Sequence, residues 1–209
     1  MKCIQAVLFD FDGVLIDSLE CMESAWIETK KKYSLSPEFS DYVKHIGKPF
    51  PIILADLKIE KSLHEDIARE YSALASSGIH LINEMPYSRD IVDWLFICKI
   101  KVALVTSKSK ARTFQLIEKF SLKFDCVVTP ELTSRGKPFP DPILYALSRL
   151  QVPKDNAVFI GDMNTDMNAA KTADVKYLHY NNGYECLDPL PYGGCIHSLL
   201  EIQEYVKYF

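Results

Sequence analysis

The chain has 209 residues, of which 48% are hydrophobic and 25% charged, with a formal net charge of −4. That balance describes one globular domain, or a domain with an insertion, able to bury a sizeable core, and it excludes disorder as the main state and a broad basic surface for nucleic acid or anionic membrane. The longest apolar stretches, such as Ile52-Ile53-Leu54-Ala55 and Trp94-Leu95-Phe96-Ile97-Cys98, fall well short of the roughly 20 residues a membrane span requires.

Taken in chain order, the first apolar run, Ala6 to Phe11, ends in Asp10 and Asp12 with no small-residue cleavage site behind it. It therefore reads as a first strand rather than a signal peptide. From roughly Ser18 to Asn83 no convincing strand occurs. The periodicity there predicts helices around Leu19 to Tyr33, Phe50 to Leu57 and Lys61 to Ser76, the last stopped by Ser76-Ser77-Gly78. Strands and helices then alternate. A helix over Asp90 to Cys98 leads to a strand at Val102 to Thr106. A helix over Lys110 to Phe120 leads to a strand at Cys126 to Thr129, and a helix from Pro142 to Leu150 leads to a strand at Ala157 to Ile160. A further strand spans Val175 to His179.

The strand runs are nearly continuous in apolar character, as parallel strands covered on both faces are. The predicted fold is α/β, a doubly wound parallel sheet. The helix-rich interval after the first strand exceeds what one crossover needs, so it reads as an inserted all-helical cap. The expected division is a core of residues 1–16 and 82–209 and a cap of residues 17–81. The six cysteines are scattered without a CxxC pair, which speaks against a zinc site and for reduced thiols in the cytoplasm.

Chemistry-bearing residues cluster at the predicted strand ends, where parallel sheets bind ligands. In Phe9-Asp10-Phe11-Asp12-Gly13 two carboxylates spaced by two share one side of an extended chain, and Gly13 permits a sharp turn. The pair can hold a divalent cation or divide nucleophilic and proton-transfer roles, and Asp-Gly also makes ordinary Asx turns. Thr106-Ser107 ends a strand before a helix, where a hydroxyl and backbone amides suit a phosphate, or Ser107 or Ser109 serves as an N-cap. In Gly136-Lys137-Pro138-Phe139-Pro140-Asp141-Pro142 the prolines stiffen the loop around Lys137, with Asp141 as the expected helix cap. Asp162 and Asp166, four apart, span a strand end and a first helical turn, where both can face one cation, or Asn164 or Asp162 caps the helix.

Together these motifs resemble the haloacid dehalogenase-like superfamily. DxDGx(T/V) is matched by Asp10, Asp12, Gly13 and Val14. The strand-ending hydroxyl is Thr106 and the lysine is Lys137. GDxxxDxxAA is matched by Gly161, Asp162, Asp166, Ala169 and Ala170. The resemblance implies a Rossmann-like core and a phosphatase in which Asp10 is the nucleophile and Asp12 the general acid and base. It further implies that Thr106 and the Ser107 amide bind the phosphoryl group, that Lys137 neutralises charge, and that Mg²⁺ is held by Asp10, the Asp12 carbonyl, Asp162 and Asp166, the last directly or through water. The helical insertion resembles the family's lid-like cap, and His45-Ile46-Gly47-Lys48-Pro49 resembles the cap substrate loop of phosphoglycolate phosphatase and pyrophosphatase relatives, with Lys48 as a substrate contact. Gly183-Tyr184 resembles a loop beside the site. Two positions depart from the pattern: Met163 stands where many relatives have serine, and Tyr87-Ser88 where Pro-Gly is usual.

The expected activity is a Mg²⁺-dependent phosphatase of a small phosphorylated metabolite, working as a monomer or weak homodimer without nucleic acid or membrane. A 2-haloacid dehalogenase has no use for Asp12. A phosphomutase, a phosphonoacetaldehyde hydrolase using Lys48 as its amine, and a non-catalytic phospho-ligand binder are the alternatives, the last weakened because Asp10, Asp12, Lys137 and Asp162 are all present.

Overall fold

A computed structural model describes residues 3–182 and 193–208. Its strands, in chain order, are β1 Ala6–Phe9, β2 Ile16–Asp17, β3 Asn83–Glu84, β4 Lys101–Val105, β5 Cys126–Val128, β6 Ala157–Gly161, β7 Lys176–Tyr180 and β8 Cys195–Ile196. The helices are α1 Leu19–Tyr33, α2 Phe39–Val43, α3 Phe50–Asp56, α4 His64–Ser77, α5 Ser88–Ile97, α6 Lys110–Phe120, α7 Asp141–Leu150, α8 Asn164–Ala173 and α9 Ile202–Tyr208. The main sheet is six-stranded and parallel in the order β5-β4-β1-β6-β7-β8.

The unbroken apolar character of the strands follows from this arrangement. Successive side chains point to opposite faces, and both faces are buried. Val7 and Phe9 of β1, Val102 and Leu104 of β4 and Val158 and Ile160 of β6 share one core with Ile91 and Leu95 of α5, Leu116 of α6 and Ile202 of α9. Ala6 and Leu8, Ala103 and Val105, and Ala157 and Phe159 share the other with Ile143 and Leu147 of α7 and Ala169 and Ala173 of α8.

Helices α1 to α4 lie between β2 and β3, which pair antiparallel through Ile16 with Glu84 and Asp17 with Asn83. The helical segment thus leaves and rejoins the chain at one ribbon. It has a buried cluster of its own, formed by Trp26, Tyr42, Ile53, Leu54 and Ile67. Helix α1 packs on α4. Glu20 in its first turn and Lys30, Lys31 and Lys32 in its last complement the helix dipole.

Some elements differ from the sequence expectation. The first strand stops at Phe9 rather than Phe11, because the Phe11 carbonyl accepts the N–H groups of Leu15 and Ile16 at 2.9 and 3.0 Å and turns the chain. Strands β2, β3 and β8 have two residues each, too short for periodicity to register. Asp141 is the first residue of α7 rather than the residue before it, and its carboxylate takes the Arg135 guanidinium at 2.9 and 3.0 Å. No helix among the described residues is long and apolar enough to cross a membrane. Cys3, Cys21, Cys98, Cys126 and Cys195 are free thiols.

Candidate active site

The carboxyl ends of β1 and β6 bring three carboxylates together. Asp10 directly follows β1, and its N–H still donates to the Ile160 carbonyl at 2.8 Å, which fixes it at the rim of the sheet. Gly13, at φ +77°, lies where a Cβ would come 2.0 Å from Asp162 Oδ2, so both the turn and the close approach require glycine. Asp162 follows β6, and Asp166 stands in the first turn of α8. Oxygens of Asp10, Asp162 and Asp166 lie within 4.8 Å of one another, and all three residues are buried.

Lys137 is the cation of this cluster. It is 2% exposed, with Nζ 2.7 Å from Asp10 Oδ1 and 2.6 Å from Asp166 Oδ1. Burial, reinforced by Asp166, outweighs Lys137 and pushes the Asp10 pKa up to about 7. Burial, then the charges of Asp166 and Asp10, hold Asp162 well above the ordinary carboxylate range. Burial alone would lower the Lys137 pKa, but Asp10 and Asp166 outweigh it and hold the ammonium above the ordinary lysine value.

The remaining oxygens separate the roles of the two later aspartates. Asp166 Oδ2 accepts the Met163 N–H at 3.1 Å, so both Asp166 oxygens are engaged by protein. Asp162 Oδ2 accepts from Asn182 Nδ2 at 2.9 Å, whereas Asp162 Oδ1 is buried without a hydrogen-bond partner. Asp162 therefore caps no helix. A buried carboxylate oxygen lacking a donor is costly, and a hard cation is the group that satisfies it. The surplus negative charge and the all-oxygen donor set fit a divalent cation of that kind.

Asp12 is held differently. Its Oδ1 accepts from Ser18 Oγ and pairs with Lys108 Nζ at 3.1 Å. Thr106 is buried, and its Oγ1 accepts the Lys108 N–H at 3.1 Å. Ser107 Oγ donates to the Gly47 carbonyl at 2.5 Å, docking the loop ahead of α3 onto the loop after β4. Lys48 carries its ammonium 2.6 Å from Asp56 Oδ2 and 3.3 Å from His45 Nδ1. Asp10, Asp12, Lys48, Ser107 and Lys137 line one cavity of about 370 Å³ between the helical segment and the sheet. Asp12 and Asp162 line an adjoining one of about 240 Å³. Gly183-Tyr184 lies outside the described residues.

Sequence reasoning missed Ser18, Lys108, Asn182 and Arg112. Lys108 and Asn182 had a readable signal, each a polar residue just past a strand end. Ser18 had none because its contact with Asp12 depends on how the intervening turn closes, and Arg112 had none because its place in the cavity arises only when the helical segment folds over.

The profile of haloacid dehalogenase-like hydrolases matches residues 7–180. The chain belongs to this family. The pyrophosphatase PpaX of Bacillus velezensis is 28% identical over 179 residues, covering 84% of this chain and 82% of that protein. A phosphoglycolate phosphatase of Aquifex aeolicus is 28% identical over 182 residues, 83% of each. A hydrolase from Pseudomonas syringae superposes with a TM-score of 0.88 at 22% identity, covering 97% and 98% of the two chains, a likeness of fold. The chain's departures from the family pattern have local consequences. Tyr87 adopts a left-handed φ of 66°, and Ser88 Oγ is buried and donates to the Leu15 carbonyl at 2.7 Å, tying α5 to the turn after Asp12.

Proposed function

We propose that this haloacid dehalogenase-like hydrolase is a cytoplasmic, Mg²⁺-dependent phosphatase that hydrolyses the phosphomonoester of a small metabolite through an aspartyl-phosphate on Asp10. The observation that carries the reading is the buried cluster of Asp10, Asp162 and Asp166, set among the described residues against the one ammonium of Lys137. The relatives' names, pyrophosphatase and phosphoglycolate phosphatase, support phosphate chemistry. The free thiols of the described residues suit a reducing compartment.

Asp10 supplies the attacking carboxylate oxygen, and Lys137 offsets the charge of nucleophile and phosphoryl group. Thr106 and the Ser107 amide bind the phosphoryl oxygens. Asp12 gives a proton to the departing oxygen and then takes one from the attacking water. Asp10, the Asp12 carbonyl and Asp162 hold the cation, with Asp166 positioning Lys137 and adding negative charge beside it. When bound, Mg²⁺ neutralises charge on the transferring group. Residues 17–81 form the cap over a core of 1–16 and 82–209, a division supported by the separate apolar cluster around Trp26. A phosphonoacetaldehyde hydrolase is disfavoured because the Lys48 amine is engaged by Asp56.

Chelation tests the reading. Excess chelator is expected to abolish phosphatase activity on a panel of phosphoglycolate, pyrophosphate, sugar phosphates and nucleoside monophosphates, and added Mg²⁺ to restore it. Asp162→Asn is expected to raise the Mg²⁺ concentration for half-maximal activity by about tenfold or more, as loss of a charged ligand implies. Undiminished turnover in excess chelator refutes the metal assignment.

The role of Asp12 has its own signature. Asp12→Asn is expected to lose far less rate on an aryl phosphate than on an alkyl phosphate, because a good leaving group needs little protonation. Equal losses on both substrates count against proton transfer by Asp12.

A further inference from the structure

The cavity beside Asp10 contains a buried cation that the proposed chemistry leaves unused. Arg112, one helical turn past Lys108, lines it and is 8% exposed. Its Nη1 donates to Gln115 Oε1 at 2.7 Å; its Nη2 donates to the Ala75 carbonyl and approaches Cys21 Sγ at 3.8 Å. These partners are neutral, and among the described residues no ion pair offsets the guanidinium. The other cations of this cavity are already paired, Lys108 with Asp12, Lys48 with Asp56 and Lys137 with Asp10 and Asp166. A buried charge without a counter-ion is costly, and an arriving anion gains what the protein has not spent.

The rest of the wall is mostly apolar, with the hydroxyls of Ser18, Ser72, Ser107 and Ser109 set among it. Met22, Tyr42, Phe50, Ile53, Tyr71 and Ile82 line it. The Phe50 and Tyr71 rings stack with centroids 4.4 Å apart, and the Tyr42 and Tyr71 hydroxyls bond one another at 3.0 Å. Ser18 and Ser107 are engaged by Asp12 and the Gly47 carbonyl, which leaves Ser72 and Ser109 as hydroxyls facing a larger apolar surface, and a small ion such as pyrophosphate leaves most of that surface without contact. Flat apolar groups gain from it through area and ring contacts.

Resting on the phosphatase reading and extending it to the substrate class, we propose that the leaving group has an apolar, aromatic body and an anionic end such as a carboxylate, with Arg112 binding that end. Arg112 is then a specificity-determining residue, and Lys48 is not the main anion contact.

The test compares 4-carboxyphenyl phosphate with 4-carbamoylphenyl phosphate, nearly equal in size and differing in charge. The amide is electronically the better leaving group, so a preference for the carboxylate reports recognition. The expected wild-type ratio of kcat/KM is about ten- to a hundredfold in favour of the carboxylate, the usual value of a charge-assisted hydrogen bond. Arg112→Gln is expected to bring the ratio near one through KM, and Arg112→Lys to restore part of it. Phosphoglycolate, which has the carboxylate without the ring, is expected to be turned over about tenfold less efficiently than 4-carboxyphenyl phosphate. Binding of 4-hydroxybenzoate against 4-hydroxybenzamide, measured by calorimetry on the wild-type protein, asks the same question without turnover or a variant that must fold. A wild-type ratio within twofold in both assays overturns the proposal, as does a preference that survives Arg112→Gln and disappears in Lys48→Ala. If no phosphate ester is hydrolysed while 4-hydroxybenzoate still binds in preference, the phosphatase reading fails and the Arg112 site stands.

Discussion

Asp10→Asn is expected to lower kcat by at least about a thousandfold on every phosphomonoester, because the amide cannot attack phosphorus while the rest of the binding machinery remains. The same substitution should not weaken the metal-free fold. In the folded state the Asp10 pKa is raised to about 7, mainly by burial and then by Asp166. A carboxylate whose folded pKa exceeds its unfolded value is a cost that is absent below the ordinary carboxylate pKa. The cost grows as pH rises toward the folded value, so stability falls across that window. The neutral amide of the variant carries no such cost. In chelator, the Tm of the variant should therefore gain on that of wild type between about pH 4 and pH 7. Thermal melts across that range check the sign, and single-turnover kinetics check the rate. Residual activity above a few per cent of wild type contradicts the nucleophile assignment, and a variant Tm that falls relative to wild type as pH rises contradicts the electrostatics.

The features legible in the sequence were those with a repeating local signal. Leu19–Tyr33 and Lys110–Phe120 are helices with the boundaries their periodicity predicts, and the long strands are the continuous apolar runs. Asp10, Asp12, Lys137 and Asp162 stood out because each lies at a strand end or in a stiff loop, in an order that resembles the motifs of the haloacid dehalogenase-like family. What the sequence did not expose is contact across distance. Lys108 reaches Asp12 from beyond the helical insertion, and Arg112 reaches the Ala75 carbonyl near the end of α4. Nor does local pattern show that Lys48 is engaged by Asp56, a residue on the same short stretch that looks like any solvated acid. The division follows from physics. Strand-end chemistry is dictated by the local turn, while the lining of the cavity depends on how the helical segment closes over the sheet.

Lys137→Met should be the most destabilising single change in the site. The ammonium is 1% exposed in its side chain and bridges Asp10 and Asp166, and no other cation stands within ion-pair distance of either among the described residues. Methionine fills a similar volume, so the loss is one of charge rather than packing. It leaves Asp10, Asp162 and Asp166 facing one another in a buried space. Removing one partner of a buried ion pair costs about 3–5 kcal/mol. For a chain of this size that corresponds to roughly 6–20 °C in Tm. The deficit should shrink toward acid pH, because protonating the carboxylates removes the repulsion. Adding Asp166→Asn to Lys137→Met should recover much of the lost stability, since it removes one of the unpaired charges. It should not recover turnover, because the phosphoryl charge still lacks its cation. Equal Tm values for wild type and Lys137→Met at neutral pH, or full activity in the double variant, would show that Lys137 neither holds the carboxylates together nor offsets the transferred group.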